Sequence, residues 1–327
     1  MQNSIYTELA HEESRWDIDD TGFLKQGNHS VGVQPQYSGT AGKTANCQIS
    51  VCLAFSSFKG YAITDFRLYL PQSWVNNPEL CQKAGIPEES RVFKTKTQLA
   101  KDMLSDALER GFRANCVTAD AAYGKSKELR DFLKRHQLNF GLGVPKTTRV
   151  IYENKEMNLE GLAQCMDDWI SIPIPGSQGY SIYEWDYATV SLNQSKYGVL
   201  LRRSLKETRF FLTWSSKQKD MMYWVRHITG RWDVERCFQE AKQEMGLDEY
   251  QVRHWQGWQR HMLLCWFSHW MLSRIKLQDR VQKWTLPQLR QVLRIFLLTT
   301  RTSVDHLIHW LFWRRKHNAR AATALSK

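Results

Sequence analysis

The sequence predicts an α/β protein: a mixed sheet with flanking helices, interrupted by a β-rich insertion and followed by a helical C-terminal region. Three observations carry that expectation. Period-two alternation and extended runs recur through the first 70 residues, as strands require. Strand and helix patterns then alternate to about residue 144. From Lys217 onward the chain reads as mostly helical.

Taken in order, Trp16 and Ile18 alternate with Asp17 and Asp19, and Thr21-Gly22 punctuates their strand. Alternation points Asp19 away from the face that buries Trp16 and Ile18. In residues 47–55, Ile49, Val51, Leu53 and Phe55 share one face, and residues 61–70 form another extended run before Pro71. The three read as consecutive strands of an antiparallel meander. Leu99, Met103, Leu104 and Leu108 follow helical spacing over 96–111, and Gly111 ends that helix. A short apolar strand from Cys116 ends on Asp120. A small-residue turn leads into a helix over about 125–136, and a strand follows near 138–144. Open α/β sheets place their sites at the C-terminal ends of strands, where Asp120 stands. Extended runs at Val150–Tyr152, Tyr180–Asp186, Ala188–Leu192 and Gly198–Arg203 are separated by Pro- and Gly-bearing turns. Pro287 marks the first turn of a late helix. The expected units are a first core part (1–149), a β-rich insertion (150–212), the rest of the core (213–275) and a basic helical region (276–327).

Composition narrows the function. The chain has 327 residues, 42% of them hydrophobic and 12% aromatic, which supplies a sizeable core and argues against disorder. The net charge is +12, and residues 251–327 hold fourteen Lys/Arg against only Asp279 and Asp305. A segment so biased suits a polyanion such as DNA, although a basic surface also serves solubility. Seven cysteines without a Cys-x-x-Cys pair disfavour a secreted disulfide scaffold or a zinc site and fit a reducing cytoplasm. No signal peptide pattern opens the chain, and the apolar run His261–Leu272 is too short to span a bilayer and reads as a buried helix.

Residues 231–242, Arg-Trp-Asp-Val-Glu-Arg-Cys-Phe-Gln-Glu-Ala-Lys, are the most informative stretch. Arg231, Glu235 and Lys242 fall on one helical face, a carboxylate between two permanent cations. Such a set suits phosphate and a divalent metal, though an ordinary surface pair has the same spacing. Asp19 and Asp120 turn it into three carboxylates in the order strand, strand, helix.

On those residues the chain resembles a bacterial cut-and-paste transposase of the DDE class, of the insertion-sequence 701 type. The resemblance is carried by Asp19-Asp20-Thr21-Gly22-Phe23, the run Lys25 to Gly32, Gln36-Tyr37-Ser38-Gly39, Gly42-Lys43 and Asn46-Cys47-Gln48. It continues through Ala119-Asp120, Tyr123-Gly124 and Arg231-Trp232 to Glu235, Phe238, Lys242 and Gly246-Leu247-Asp248. It implies a ribonuclease-H-like catalytic core with an insertion between the second aspartate and the glutamate. It implies Asp19, Asp120 and Glu235 as catalytic, metal-binding acids, and Asp19 is favoured over Asp20 because Thr follows it after one residue. It implies Mg²⁺, replaceable by Mn²⁺, in a two-metal phosphoryl transfer. Double-stranded DNA is the expected partner, contacted by Arg231, Lys242, Arg314, Arg315 and Lys316, with a homodimer in the DNA complex, no membrane, and a cytoplasmic, nucleoid-associated location. Two features depart from the family. Ile228 stands where a tyrosine often precedes the arginine, and only 18 residues precede Asp19, where relatives usually carry a helical DNA-binding region. The alternatives are an inactive or domesticated remnant that binds DNA, and a different nuclease, such as a junction resolvase, on the same core. A phosphate loop at Gly124-Lys125-Ser126 fails because Ala119 replaces the required glycine. An Asp17-x-Asp19 glycosyltransferase motif leaves Glu235 and the basic tail unexplained.

Overall fold

The computed structural model describes residues 1–39, 41–176, 179–278, 281, 283–298, 308, 309, 312 and 313. Helix α1 (Gln2–Glu8) precedes β1 (Arg15–Leu24), β2 (Gln34–Ser38), β3 (Lys43–Ser57) and β4 (Gly60–Leu68). Short helices α2 (Gln72–Val75) and α3 (Pro78–Lys83) lead to α4 (Lys96–Glu109). Then come β5 (Cys116–Ala119), α5 (Ala121–Gly124), α6 (Lys127–Arg135) and β6 (Asn139–Val144). The β-rich segment holds β7 (Arg149–Tyr152), β8 (Lys155–Asn158), α7 (Leu159–Gln164), β9 (Ile170–Gly176), β10 (Gly179–Leu192), β11 (Ser195–Arg203) and β12 (Thr208–Trp214). Helices α8 (Met221–Gly230), α9 (Trp232–Met245), α10 (Trp255–Lys276) and α11 (Leu286–Leu298) follow.

All the described strands belong to one sheet, ordered β2-β3-β1-β5-β6-β12-β11-β10-β7-β8, with β4 also on β3 and β9 on β10. Strand β1 is antiparallel to β3 and parallel to β5, and β5 is parallel to β6. This is the mixed α/β arrangement that the sequence predicts, in the order of a ribonuclease-H-like core. The β-rich segment extends the same sheet, because β12 pairs with β6 through Phe210↔Val144 to Trp214↔Phe140.

One face of the sheet buries Trp16, Ile18, Leu53, Phe55, Val117 and Ala119 against α1, α4 and α6. The other packs Cys52, Ala54 and Ile63 against α9 and α10, and Cys116 against α8. Local chemistry fixes the helix starts. Thr95 and Gln98 form a capping box on α4, Ser126 caps α6, and Asp220 caps α8 through the Tyr223 N–H. A Cβ on Gly124 would strike the carbonyl oxygen of Gly143, so α5 lies directly against the β6 backbone.

Several elements depart from the sequence reading. Strand β2 was not anticipated, since Gln34-Pro35-Gln36-Tyr37-Ser38 lacks apolar alternation; it sits at the sheet edge, where proline is tolerated. Strand β3 is buried on both faces from Cys47 onward, so one-sided alternation understates its burial. The runs at 180–186 and 188–192 are one strand, β10. The apolar stretch 261–272 lies within α10, which presents Leu263, Leu264 and Phe267 to solvent because only one side meets α9 and β4. No described helix is long and apolar enough to cross a membrane.

Candidate active site

Asp19 and Asp120 reach one place through the register of β1 and β5. Ile18 lies beside Ala119, so the next residue on each chain is an aspartate, and paired residues of neighbouring strands share a face. That face is the one on which α8 and α9 pack. Asp120 is the N-cap of α5, its Oδ1 accepting from the N–H groups of Ala122 (2.9 Å) and Tyr123 (3.4 Å).

Glu235 comes from the first turn of α9. Arg231, at the junction of α8 and α9, joins it to Asp19. Its Nη1 donates to Asp19 Oδ2 at 2.8 Å and its Nη2 to Glu235 Oε1 at 2.6 Å. Burial raises the Asp19 pKa from 3.8 to about 7; Asp120 and Asp20 push the same way, while Arg231 and the Asp20 N–H oppose. Burial works against the Arg231 charge, yet Asp19, Glu235 and Asp120 hold its pKa above the ordinary value.

The three neighbouring aspartates of β1 have different surroundings. Asp20 points to the opposite face, where Lys96 Nζ (3.0 Å) and Tyr123 Oη (3.2 Å) donate to its Oδ2. Asp17 is fully buried and accepts from Arg15 Nε at 3.1 Å, Thr118 Oγ1 at 2.5 Å and Ser56 Oγ. Arg15 also donates to the Gly230 carbonyl and pairs with Asp233. The sequence reading missed the roles of Arg15, Asp17 and Asp233. The one local signal is the pair of opposite charges, Arg15 and Asp17, two residues apart on one face of β1.

Lys242 shares a helix with Glu235 but not a position. Seven residues on, about 10 Å along the axis, its Nζ donates to the Gly22 carbonyl at 3.3 Å. Beyond it Lys25 lies 3.5 Å over the Tyr250 ring, in a cavity of about 430 Å³ lined also by His29, Asp248 and Arg253. Arg314, Arg315 and Lys316 lie outside the described residues.

Among the described residues, no three His, Cys, Asp or Glu side chains are already gathered as a metal site. The donor set still suits a hard cation. Asp19, Asp120 and Glu235 offer only oxygen, and Mg²⁺ takes one or two carboxylates and keeps its waters.

Residues 4–158 match the model of the DDE superfamily endonuclease family, and residues 94–271 match that of the transposase DDE domain. A probable transposase for insertion sequence element IS701 from Microchaete diplosiphon is 30% identical over 129 residues, which are 39% of this chain. The matched region spans 30% of that relative's length. With the transposase DDE domain covering more than half of its residues, the chain belongs to the DDE transposase family.

Proposed function

We propose that this protein is a DNA transposase that cuts DNA at transposon ends and joins the freed strand to target DNA by metal-dependent phosphoryl transfer. The observation that carries this reading is that Asp19 and Asp120 stand side by side on one sheet face, each just past the Ile18–Ala119 pair, with Glu235 tied to Asp19 through Arg231. Asp19, Asp120 and Glu235 would hold two Mg²⁺ or Mn²⁺ ions, which activate the attacking oxygen and stabilise the leaving one. Arg231 then exchanges carboxylate partners for a DNA phosphate, and Lys242 and the Lys25 cavity continue the cationic path along α9. A homodimer on paired DNA ends and a nucleoid-associated location belong to the same reading. Incubating the protein with end-containing DNA and single metals tests it. Mg²⁺ and Mn²⁺ support nicking, and protein purified without added metal carries no stoichiometric zinc. A protein that binds DNA but nicks nothing with either metal is instead a DNA-binding remnant.

Proton and metal compete for Asp19. Its folded pKa of about 7 lies above the ordinary 3.8, so the proton is held more tightly in the folded chain. In metal-free protein this contribution to stability is full below about pH 4 and is lost as pH rises through about 7. Metal binding needs the carboxylate, so apparent Mn²⁺ affinity falls with each pH unit below 7, by up to about tenfold. Mn²⁺ titrations between pH 5.5 and 8 should show that slope; a flat profile would contradict it.

The C-terminal basic run gives a further expectation. Changing Arg314, Arg315 and Lys316 together to Gln weakens binding to unrelated DNA sequences alike. It also flattens the logarithmic salt dependence by up to about 0.9 per lost phosphate contact. Isotherms at several salt concentrations read this directly, and an unchanged slope places the DNA path along Arg231, Lys242 and the β-rich segment.

A further inference from the structure

We propose that Arg15 is a positioning residue that sets the geometry of the three acids; the inference rests on reading Asp19, Asp120 and Glu235 as the metal site. Arg15 and Asp17 are the centre of one buried network. The Asp17 carboxylate accepts from Arg15 on its own strand, Ser56 on β3 and Thr118 on β5. The Arg15 guanidinium donates onward to the Gly230 carbonyl, which ends α8, and to Asp233 in the first turn of α9. It also fills the volume that a Cβ on residue 230 would need.

Each acid stands two residues beyond a member of this network: Asp19 after Asp17, Asp120 after Thr118, Glu235 after Asp233. On the two strands a two-residue step returns to the same face, so the network is the tier directly beside the carboxylates. On the helical side Gly230 and Asp233 flank Arg231, so Arg15 tethers the junction from which both Arg231 and Glu235 project.

Energetics favour a geometric role. Side-chain exposure is 8% for Arg15 and 0% for Asp17. Charges so buried are costly, and apolar residues of equal volume often stabilise as well or better. What the guanidinium adds is direction. Its planar fork reaches Asp17 on one side and Asp233 and Gly230 on the other, which a lysine ammonium cannot do with fixed angles.

The test is Mn²⁺ binding, followed by electron paramagnetic resonance, to the full chain carrying Arg15→Gln, Arg15→Lys, Thr118→Val or Asp19→Asn, with DNA affinity measured without metal. Groups that orient metal ligands typically govern about 10–100-fold in metal affinity. Arg15→Gln should therefore weaken Mn²⁺ binding at least about tenfold, with metal-free DNA affinity little changed. Arg15→Lys should recover only part of the loss. Thr118→Val removes one hydrogen bond without changing shape, and should weaken Mn²⁺ by a smaller factor even if Arg15→Gln does not fold. Wild-type Mn²⁺ affinity in folded Arg15→Gln, or in Thr118→Val where Arg15→Gln does not fold, overturns the proposal and leaves the network a purely structural one. Wild-type Mn²⁺ affinity in Asp19→Asn overturns the underlying assignment of the acids.

Discussion

Asp120→Ala protein will bind DNA and fail to cut it. The same holds for Asp19→Ala and Glu235→Ala. Divalent cations contribute several kcal/mol to a phosphoryl-transfer transition state, and about 4 kcal/mol corresponds to roughly 10³ in rate. Loss of one ligand should therefore take Mg²⁺-dependent cleavage below detection. Stability changes little by comparison. Asp120→Ala removes the cap of α5, which costs about 1 kcal/mol. Asp19→Asn is the gentler change on β1, because an amide still occupies the site beside Arg231. Gel-resolved strand cleavage, beside fluorescence from the buried tryptophans as a folding control, reads both quantities. Full cleavage by Asp120→Ala would remove it from the site. Asp20→Asn should be mild, since that carboxylate faces Lys96 on the other side of the sheet. If Asp19→Asn is tolerated and Asp20→Asn is not, the two neighbours exchange roles.

Asp17→Ala, only two residues away, should instead unfold the protein at much lower denaturant. Removing this carboxylate strands the Arg15 charge in the interior with Asp233 as its remaining acidic partner, and it orphans the Ser56 and Thr118 hydroxyls. Breaking a buried ion pair from one side costs about 3–5 kcal/mol. The Asp20–Lys96 pair is partly exposed, so Asp20→Ala should cost no more than about 1 kcal/mol. Urea midpoints of the two variants, compared with the parent, check the contrast. A loss below about 1 kcal/mol for Asp17→Ala would contradict the view that its network holds the sheet to α9.

These neighbours also mark what the sequence discloses. Alternation of Trp16 and Ile18 with Asp17 and Asp19 assigns the right faces, because a half-buried strand must segregate its side chains. Asp120 is legible as a strand end for the same reason. The pairing of Arg231 with Glu235 follows from helical spacing, although Arg231 proves to be the hinge between two helices rather than a residue within one. Gly230 was the local sign of that break. At Lys242 the seven-residue spacing from Glu235 gives both the shared face and a distance of about 10 Å along the axis, while its bond to the Gly22 carbonyl comes only from the docking of α9 on β1. Beyond the opposite charges of Arg15 and Asp17 on one strand face, the Arg15 network is not legible. Its members lie on β1, β3, β5 and the α8–α9 junction, and only the register and the docking of α9 bring them together. Strand β2 is hidden because an edge strand needs no apolar alternation.

The sheet order has a consequence for the newly made chain. Once residue 144 has left the ribosome, β1, β5 and β6 can pair, and Asp19 and Asp120 already stand side by side. Glu235 does not yet exist. At roughly 5–20 residues per second, synthesis through the end of α9 takes roughly another 5–20 s. Throughout that interval Arg15 lacks the Gly230 carbonyl and Asp233, and Asp17 on its own strand is the acid left to answer it. Assembly of the acid set thus waits for the last third of the protein. A chain that terminates between residues 120 and 235 carries two of the three carboxylates and an unfinished core.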